Sequence, residues 1–324
     1  MVSEGNDPRL GAGDSPPAII SNFLGDELTS LVDSIINGTN YVDPKKSLMR
    51  IGVDVLPAIP KDTTDRNRTS PLAFTGNKFE FRMLGSSQSV SGPNVALNTI
   101  MAEELGRFAD ILEKADDFDA ALQQLVCNAF TEHQRIIFNG NGYSKEWEEE
   151  AAKRGLSNLN STPKSLSAYL DQKYIDLVTK HGIYTETEYR ARHEIHLEAY
   201  CKIINIEART SIDMVMHQIL PAAIAYAKAL SESIQTKSQI GLTCVAETEI
   251  TKRLSTTIDS CYLKCEELRT ALTLVPADSA AASNYYHDVI VSCMESLRKD
   301  ADMLEELTDK SYWPYPTYSD LLYY

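Results

Sequence analysis

Lys78-Phe79-Glu80-Phe81-Arg82-Met83 is followed, past Ser91, by Gly92-Pro93-Asn94-Val95-Ala96-Leu97. In the first stretch Phe79, Phe81 and Met83 alternate with Lys78, Glu80 and Arg82. Successive strand side chains point to opposite faces, so this pattern predicts a strand with an aromatic side packed into a core. Its charged side would face a polar cavity or solvent. In the second stretch the apolar spacing widens. Leu97, Ile100, Leu105, Phe108 and Leu112 form one stripe at helical period. The chain therefore changes grammar near Ser91.

Upstream, Gly, Pro, Asn and Asp punctuate short segments. Pro16-Pro17 opens the apolar run Ala18-Ile19-Ile20, and Leu28, Leu31, Val32 and Ile35 follow at helical spacing. Ile51 to Leu56 is a short β-branched run ended by Pro57 and Pro60, which predicts a second strand. Downstream, a helix is predicted from Asp117 with Leu122, Leu125, Phe130 and Ile136 inward, broken at Asn139-Gly140-Asn141-Gly142. Ser144 is a candidate cap for a short helix, and Thr162-Pro163 offers a cap followed by proline. Thr185 with Glu188 makes a capping box opening a long helix to about Glu207. Pro221 should kink or offset the next helix. Two more long helices are expected, Glu247 to Leu272 and Asp278 to Leu307, packed as an antiparallel bundle. The aromatic end, Tyr312 to Tyr318 and then Leu321 to Tyr324, reads as a tail docked on the body or on a neighbouring subunit, with peptide recognition as the rival.

The fold expected is α+β, a partial sheet with helices followed by a mostly helical bundle, and the 324 residues suggest two domains. With 43% hydrophobic and 24% charged residues, wholesale disorder and a collagen-like fibre are excluded. The net charge of −15 repels phosphate backbones and argues against general nucleic-acid binding. No apolar run reaches the ~20 residues needed to cross a bilayer. The polar start, Met1 to Pro8, does not resemble a signal peptide, so no membrane association and a soluble, intracellular chain are expected. Cys127, Cys201, Cys244, Cys261, Cys265 and Cys293 contain no C-x-x-C pair and read as small buried thiols.

Few motifs carry chemistry. Glu80 between Lys78 and Arg82 could hold a divalent metal while the cations hold phosphate, or the three could form a self-compensated surface strand. Arg66-Asn67-Arg68-Thr69 is a polar basic loop, and Arg9 to Pro16 a turn-rich loop with one guanidinium and one carboxylate, Asp14. His193 and His196 are three apart, whereas the zincin pattern needs four. No P-loop, G-x-S-x-G or dinucleotide fingerprint is present.

The order of these parts, above all Phe74-Thr75-Gly76-Asn77-Lys78-Phe79-Glu80-Phe81-Arg82-Met83-Leu84-Gly85-Ser86-Ser87 running on to Leu97, resembles the C-terminal part of type III glutamine synthetases. Ile137 to Tyr143 and Trp313 to Tyr318 share that resemblance, which extends over essentially the whole chain. It implies that residues 1–140 are the C-terminal part of a catalytic domain and 141–324 a helical domain with an aromatic tail. It implies glutamate–ammonia ligation through γ-glutamyl phosphate, with ATP and Mg2+ or Mn2+, in a cytoplasmic homo-oligomeric ring. Under it Arg9 and Arg82 would bind substrate, Asp14 and Arg68 would be catalytic, Lys78 would lie at the nucleotide and Glu80 would be a metal ligand. In the family the loop acid is usually glutamate followed by alanine; here it is Asp14 followed by Ser15, and Ala73 stands near where other types carry an arginine. No segment here resembles the family's N-terminal β-grasp domain or the strands bearing its remaining metal glutamates, so the isolated chain is expected to be incomplete and inactive. The alternative is a non-catalytic helical interaction or regulatory module.

Overall fold

The computed structural model describes residues 2–12, 15–41, 48–49, 59–60, 70–86 and 88–322. The predicted strand Ile51 to Leu56, and with it Asp14, Arg68 and the Arg-Asn-Arg-Thr loop, lies outside the described residues. Those that are described form an α+β structure dividing into two compact units, Met1–Arg190 and Ala191–Tyr324. Among the described residues no helix is long and apolar enough to cross a membrane.

In the first unit a 3-10 turn, Asp7–Arg9, precedes β1 (Asn22–Phe23) and α1 (Gly25–Asn37). Strands β2 (Leu48–Met49) and β3 (Ile59–Pro60) make a separate antiparallel pair. The main sheet has the order β1, β4 (Leu72–Phe74), β5 (Phe79–Phe81), with β1 parallel and β5 antiparallel to β4. Its register sets Ala73 opposite Glu80 and Leu72 opposite Phe81. A bridge from Asn22 to Ile137 extends the sheet on the far side, where the Phe138 amide donates to the Asn22 carbonyl at 2.9 Å.

Helix α1 has no capping side chain of its own. Its first amides, on Leu24 and Gly25, both donate to Asn139 Oδ1 at 3.0 Å. The Asn139 Nδ2 in turn donates to Thr29 Oγ1. An N-cap normally comes from the residue just before the helix; here it is supplied from more than a hundred residues away. At the other end Gly38 takes φ of 63°, the left-handed conformation that closes a helix without a Cβ clash.

The helices that follow are α2 (Ser91–Leu112), α3 (Phe118–His133), α4 (Lys145–Lys153), α5 (Thr162–Ser167) and α6 (Gln172–Lys180). Asp117 and Ser144 cap α3 and α4, each accepting from the amide three residues on. The expected cap at Thr162 is displaced by one residue. Ser161 is the N-cap of α5, and the Thr162 hydroxyl is used elsewhere, donating to Asp7. The apolar stripe of α2 is partly exposed, and so is part of the face of α3 predicted to point inward. Ile100 and Leu105 are 48% and 58% exposed, and Leu122 of α3 is exposed as well. Helices α2 and α3 pack on each other, on α1 and on α6, which leaves much of the stripe uncovered among the described residues.

Helix α7 (Glu186–Met214) opens with the expected capping box. The Glu188 amide donates to Thr185 Oγ1 at 3.2 Å, and the Thr185 amide to Glu188 Oε2 at 2.9 Å. It runs one to two turns beyond Glu207, into a π turn, Val215–Ile219. Helix α8 (Leu220–Gln239) begins there, with Pro221 in its first turn. Proline lacks an amide hydrogen and its ring crowds the preceding turn, so the widened turn absorbs the offset that Pro221 demands. Helices α9 (Val245–Leu272), α10 (Ser279–Tyr285) and α11 (Ser292–Leu307) complete the bundle, with a second π turn, Tyr286–Val291, between the last two. Connections of a few residues make successive long helices antiparallel. Tyr200, Ile204, Leu254, Cys261, Cys265, Leu268, Ile290, Leu297 and Leu304 form its fully buried centre.

Burial pushes the Cys261 thiol up to about 12 and raises Cys265, Cys201 and Cys293, so these sulfurs stay protonated and unreactive. Before the short α12 (Tyr318–Leu322), Trp313 and Tyr315 pack against the bundle core, and Tyr312 lies on Tyr226 with ring centroids 5.3 Å apart. The 312–315 part of the tail is thus docked on its own bundle, whereas Leu321 and Leu322 are exposed.

Candidate functional site

Where the N-terminal loop meets the β4–β5 pair there is an open cavity of about 480 Å³. The loop contributes Leu10, Ser15 to Ala18, and Ile20; the strand pair contributes Ser70, Pro71 and Glu80 to Leu84; Tyr143 adds an aromatic ring. Its wall is apolar at Pro16, Pro17 and Pro71 and polar at Glu80 and Arg82.

Strand alternation sends Lys78, Glu80 and Arg82 to one side, as the sequence predicts. Lys78 Nζ lies 3.0 Å from Glu80 Oε1, and Arg82 contacts Glu80 Oε2 through Nη2 at 3.1 Å and Nε at 3.3 Å. Both carboxylate oxygens are therefore already paired with a cation. The hydrogen bonds from Lys78, then from Arg82, hold the Glu80 carboxyl below the ordinary value of 4.5. The other side of the strand departs from expectation. Phe79 is 53% exposed and lies against Phe74, with centroids 5.4 Å apart, on the edge strand of the sheet.

A carboxyl with a lowered folded pKa favours the folded state above its unfolded value, and that contribution is lost as pH falls through the lowered one. Lys78→Met is accordingly expected to move Glu80 back toward 4.5. Carbon-13 NMR of the side-chain carboxyl would follow this; an unchanged titration would show that Lys78 is not its main partner.

The predicted residues are brought together in part. Lys78, Glu80 and Arg82 form one cluster, of which Glu80 and Arg82 line the cavity. Arg9 ends the 3-10 turn, exposed, one residue before the lining Leu10. Asp14 and Arg68 are outside the described residues. Sequence reasoning missed Ser70, a buried cavity residue whose hydroxyl has no hydrogen-bond partner among the described residues, and Tyr143. No local signal marks either. Ala73 is fully buried opposite Glu80.

Comparison with known proteins decides the family. Residues 121–238 match the family model described as the glutamine synthetase C-terminal domain. A type-3 glutamine synthetase of Dictyostelium discoideum is 39% identical over 98% of this chain, a match covering 45% of that protein. Glutamine synthetases of Butyrivibrio fibrisolvens and Bacteroides fragilis are 36% and 32% identical over the whole chain, covering 47% and 46% of their own lengths. The chain belongs to the glutamine synthetase family. It spans somewhat less than half the length of these relatives.

For a glutamine synthetase relative, a divalent cation is the natural question at Glu80. Among the described residues no group of three His, Cys, Asp or Glu side chains could hold a metal, and both Glu80 oxygens are engaged by Lys78 and Arg82. Hard divalent cations take six or more oxygens. The described residues therefore do not fit a metal ion by themselves.

Proposed function

We propose that this chain is the C-terminal part of an ATP-dependent glutamate–ammonia ligase, and that the cavity beside Glu80 is its share of the active site. The observation that carries this is the coincidence of whole-chain similarity to type-3 glutamine synthetase with a cation-bracketed carboxylate facing a substrate-sized hollow. In this reading Arg82 and Arg9 orient the substrate carboxylates, Lys78 and Arg68 meet phosphate oxygens, and Glu80 would hold Mg2+ or Mn2+ together with carboxylates supplied by the rest of the protein once an oxygen is released from its present cation. Asp14 would take a proton from ammonium, and the ammonia so formed would attack the carbonyl carbon of the acyl phosphate and release phosphate. ATP, glutamate and ammonia would be the substrates, and a cytoplasmic homo-oligomeric ring the working assembly. Residues 1–140 would belong to the catalytic domain and 141–324 to the helical one.

One carboxylate cannot make a metal–phosphate site alone, so the chain by itself is expected to turn over little. The test joins it to the portion of the Dictyostelium relative that it does not match and measures γ-glutamyl transferase activity of that fusion and of the chain alone. Activity in the fusion with little in the chain supports the proposal. A silent fusion, correctly assembled, would remove the ligase reading in favour of a non-catalytic interaction module; robust turnover by the chain alone would remove only its incompleteness.

A further inference from the structure

The loop that rims the cavity is tied down at its root by two buried side chains. Asn6 is fully buried; its Oδ1 accepts from the Ser3 amide at 2.9 Å and its Nδ2 donates to the Leu84 carbonyl at 3.2 Å. Leu84 itself lines the cavity. Asp7 is 7% exposed, and its Oδ2 accepts from both the amide and the hydroxyl of Thr162, at 3.0 and 2.7 Å. Thr162 begins α5, inside the segment that matches the glutamine synthetase C-terminal domain. A carboxylate is costly to bury unless donors meet it, and bonds to an ionised acceptor are roughly twice as strong as neutral ones. Two such bonds across 155 residues therefore fix where the chain enters the turn that carries Arg9.

We propose that Asp7 is a positioning residue: through Thr162 it makes α5, in the same compact unit, the brace that holds the Arg9 loop beside the cavity. This rests on the reading above for its catalytic meaning, but the brace itself does not. Beyond Arg9 the loop is held by its own short bonds. The Gly11 amide donates to the Pro16 carbonyl, Ala12 to Arg9 and Ser15 to Ala12. Releasing the root frees all three, whereas the Glu80 cluster has its own ladder to β4.

The test is hydrogen exchange by mass spectrometry on the 324-residue chain and its Asp7→Ala, Asp7→Asn and Thr162→Val variants. Loss of hydrogen bonds to a charged group should speed exchange at Gly11, Ala12 and Ser15 roughly tenfold or more in Asp7→Ala. Thr162→Val, which keeps one donor, should show a smaller acceleration. Asp7→Asn, which keeps the acceptor, should restore most of the protection. Unchanged exchange in both Asp7→Ala and Thr162→Val overturns the proposal. If Asp7→Ala also loses protection throughout α4 and α9 it has unfolded, and Thr162→Val then decides: acceleration confined to the loop supports the brace, and none overturns it. In the active fusion, Asp7→Ala should lower kcat and Asp7→Asn should recover it. A loop loosened in the chain beside a silent wild-type fusion would remove the ligase reading and keep the brace. Full turnover with unaltered loop exchange would do the reverse.

Discussion

Trp147→Ala is expected to destabilise the Met1–Arg190 unit by about 3–5 kcal/mol, the usual cost of truncating a buried large aromatic. Trp147 is 2% exposed and packs with Ile19 and Ala151. The Phe138 ring stacks on it at 3.7 Å between centroids, and the Arg154 guanidinium sits over it at 5.5 Å. Arg154 also donates to the Ile137 carbonyl at 2.9 Å, so the same side chains fasten α4 to the outer edge of the sheet. Ile19 lies between Ala18 and Ile20, both on the cavity wall, which means the void left by the indole opens directly behind the site. The measurement is exchange at the Phe138 amide, which donates to Asn22, together with the urea midpoint of this unit. Trp147→Phe should keep most of the stacking and lose far less. A Trp147→Ala chain with wild-type protection at Phe138 would show that this cluster does not hold the sheet edge.

Glu80→Gln is expected to lower γ-glutamyl transferase activity of the fusion by about a hundredfold or more, since electrostatic contacts in a closed site commonly carry effects of that size. The change keeps the side-chain shape while removing the charge that Lys78 and Arg82 share. Arg82 would then present uncompensated positive charge to the cavity, so an anion such as inorganic phosphate should bind more tightly even as turnover falls. Because Glu80 is half exposed on a three-residue edge strand, circular dichroism should be unaltered. Activity within threefold of wild type would place the chemistry away from this carboxylate and leave Glu80 as a surface counter-ion.

Much of the fold was legible because it is locally encoded. Alternation marked β5, the Thr185–Glu188 box marked the start of α7, and Asp117, Ser144 and Asp278 each sat one residue before a helix that they do cap. Apolar period also found the bundle, whose helices bury a continuous centre. At α2 it found the helix but not its surroundings, since period reports that a helix has an apolar face and not that anything covers it. Leu105 and Ile100 have the right spacing and lie largely in water. The contacts that shape the site were invisible for a different reason. Asn139 capping α1 and Asp7 binding Thr162 join residues more than a hundred positions apart, and one polar side chain carries no mark of its distant partner. Asn139 in Asn-Gly-Asn-Gly reads as a chain breaker, and Thr162 before proline reads as a cap. Each has the chemistry recognised in the sequence and spends it on another element. For Glu80 the residue types were enough to find the cluster, but only the coordinates show both oxygens already occupied.

The two π turns, Val215–Ile219 and Tyr286–Val291, both lie against α9. A π turn holds one more residue than the α turn it replaces, which rotates everything downstream by about 100° relative to an uninterrupted helix. That phase shift is what brings Leu220 and Ala223 beyond the first turn, and Leu297 and Leu304 beyond the second, onto the buried side. Deleting a single residue, such as exposed His217, would regularise the spiral and at once carry Leu220 and Ala223 away from their partners. In this bundle a perfect helix would be the defective one.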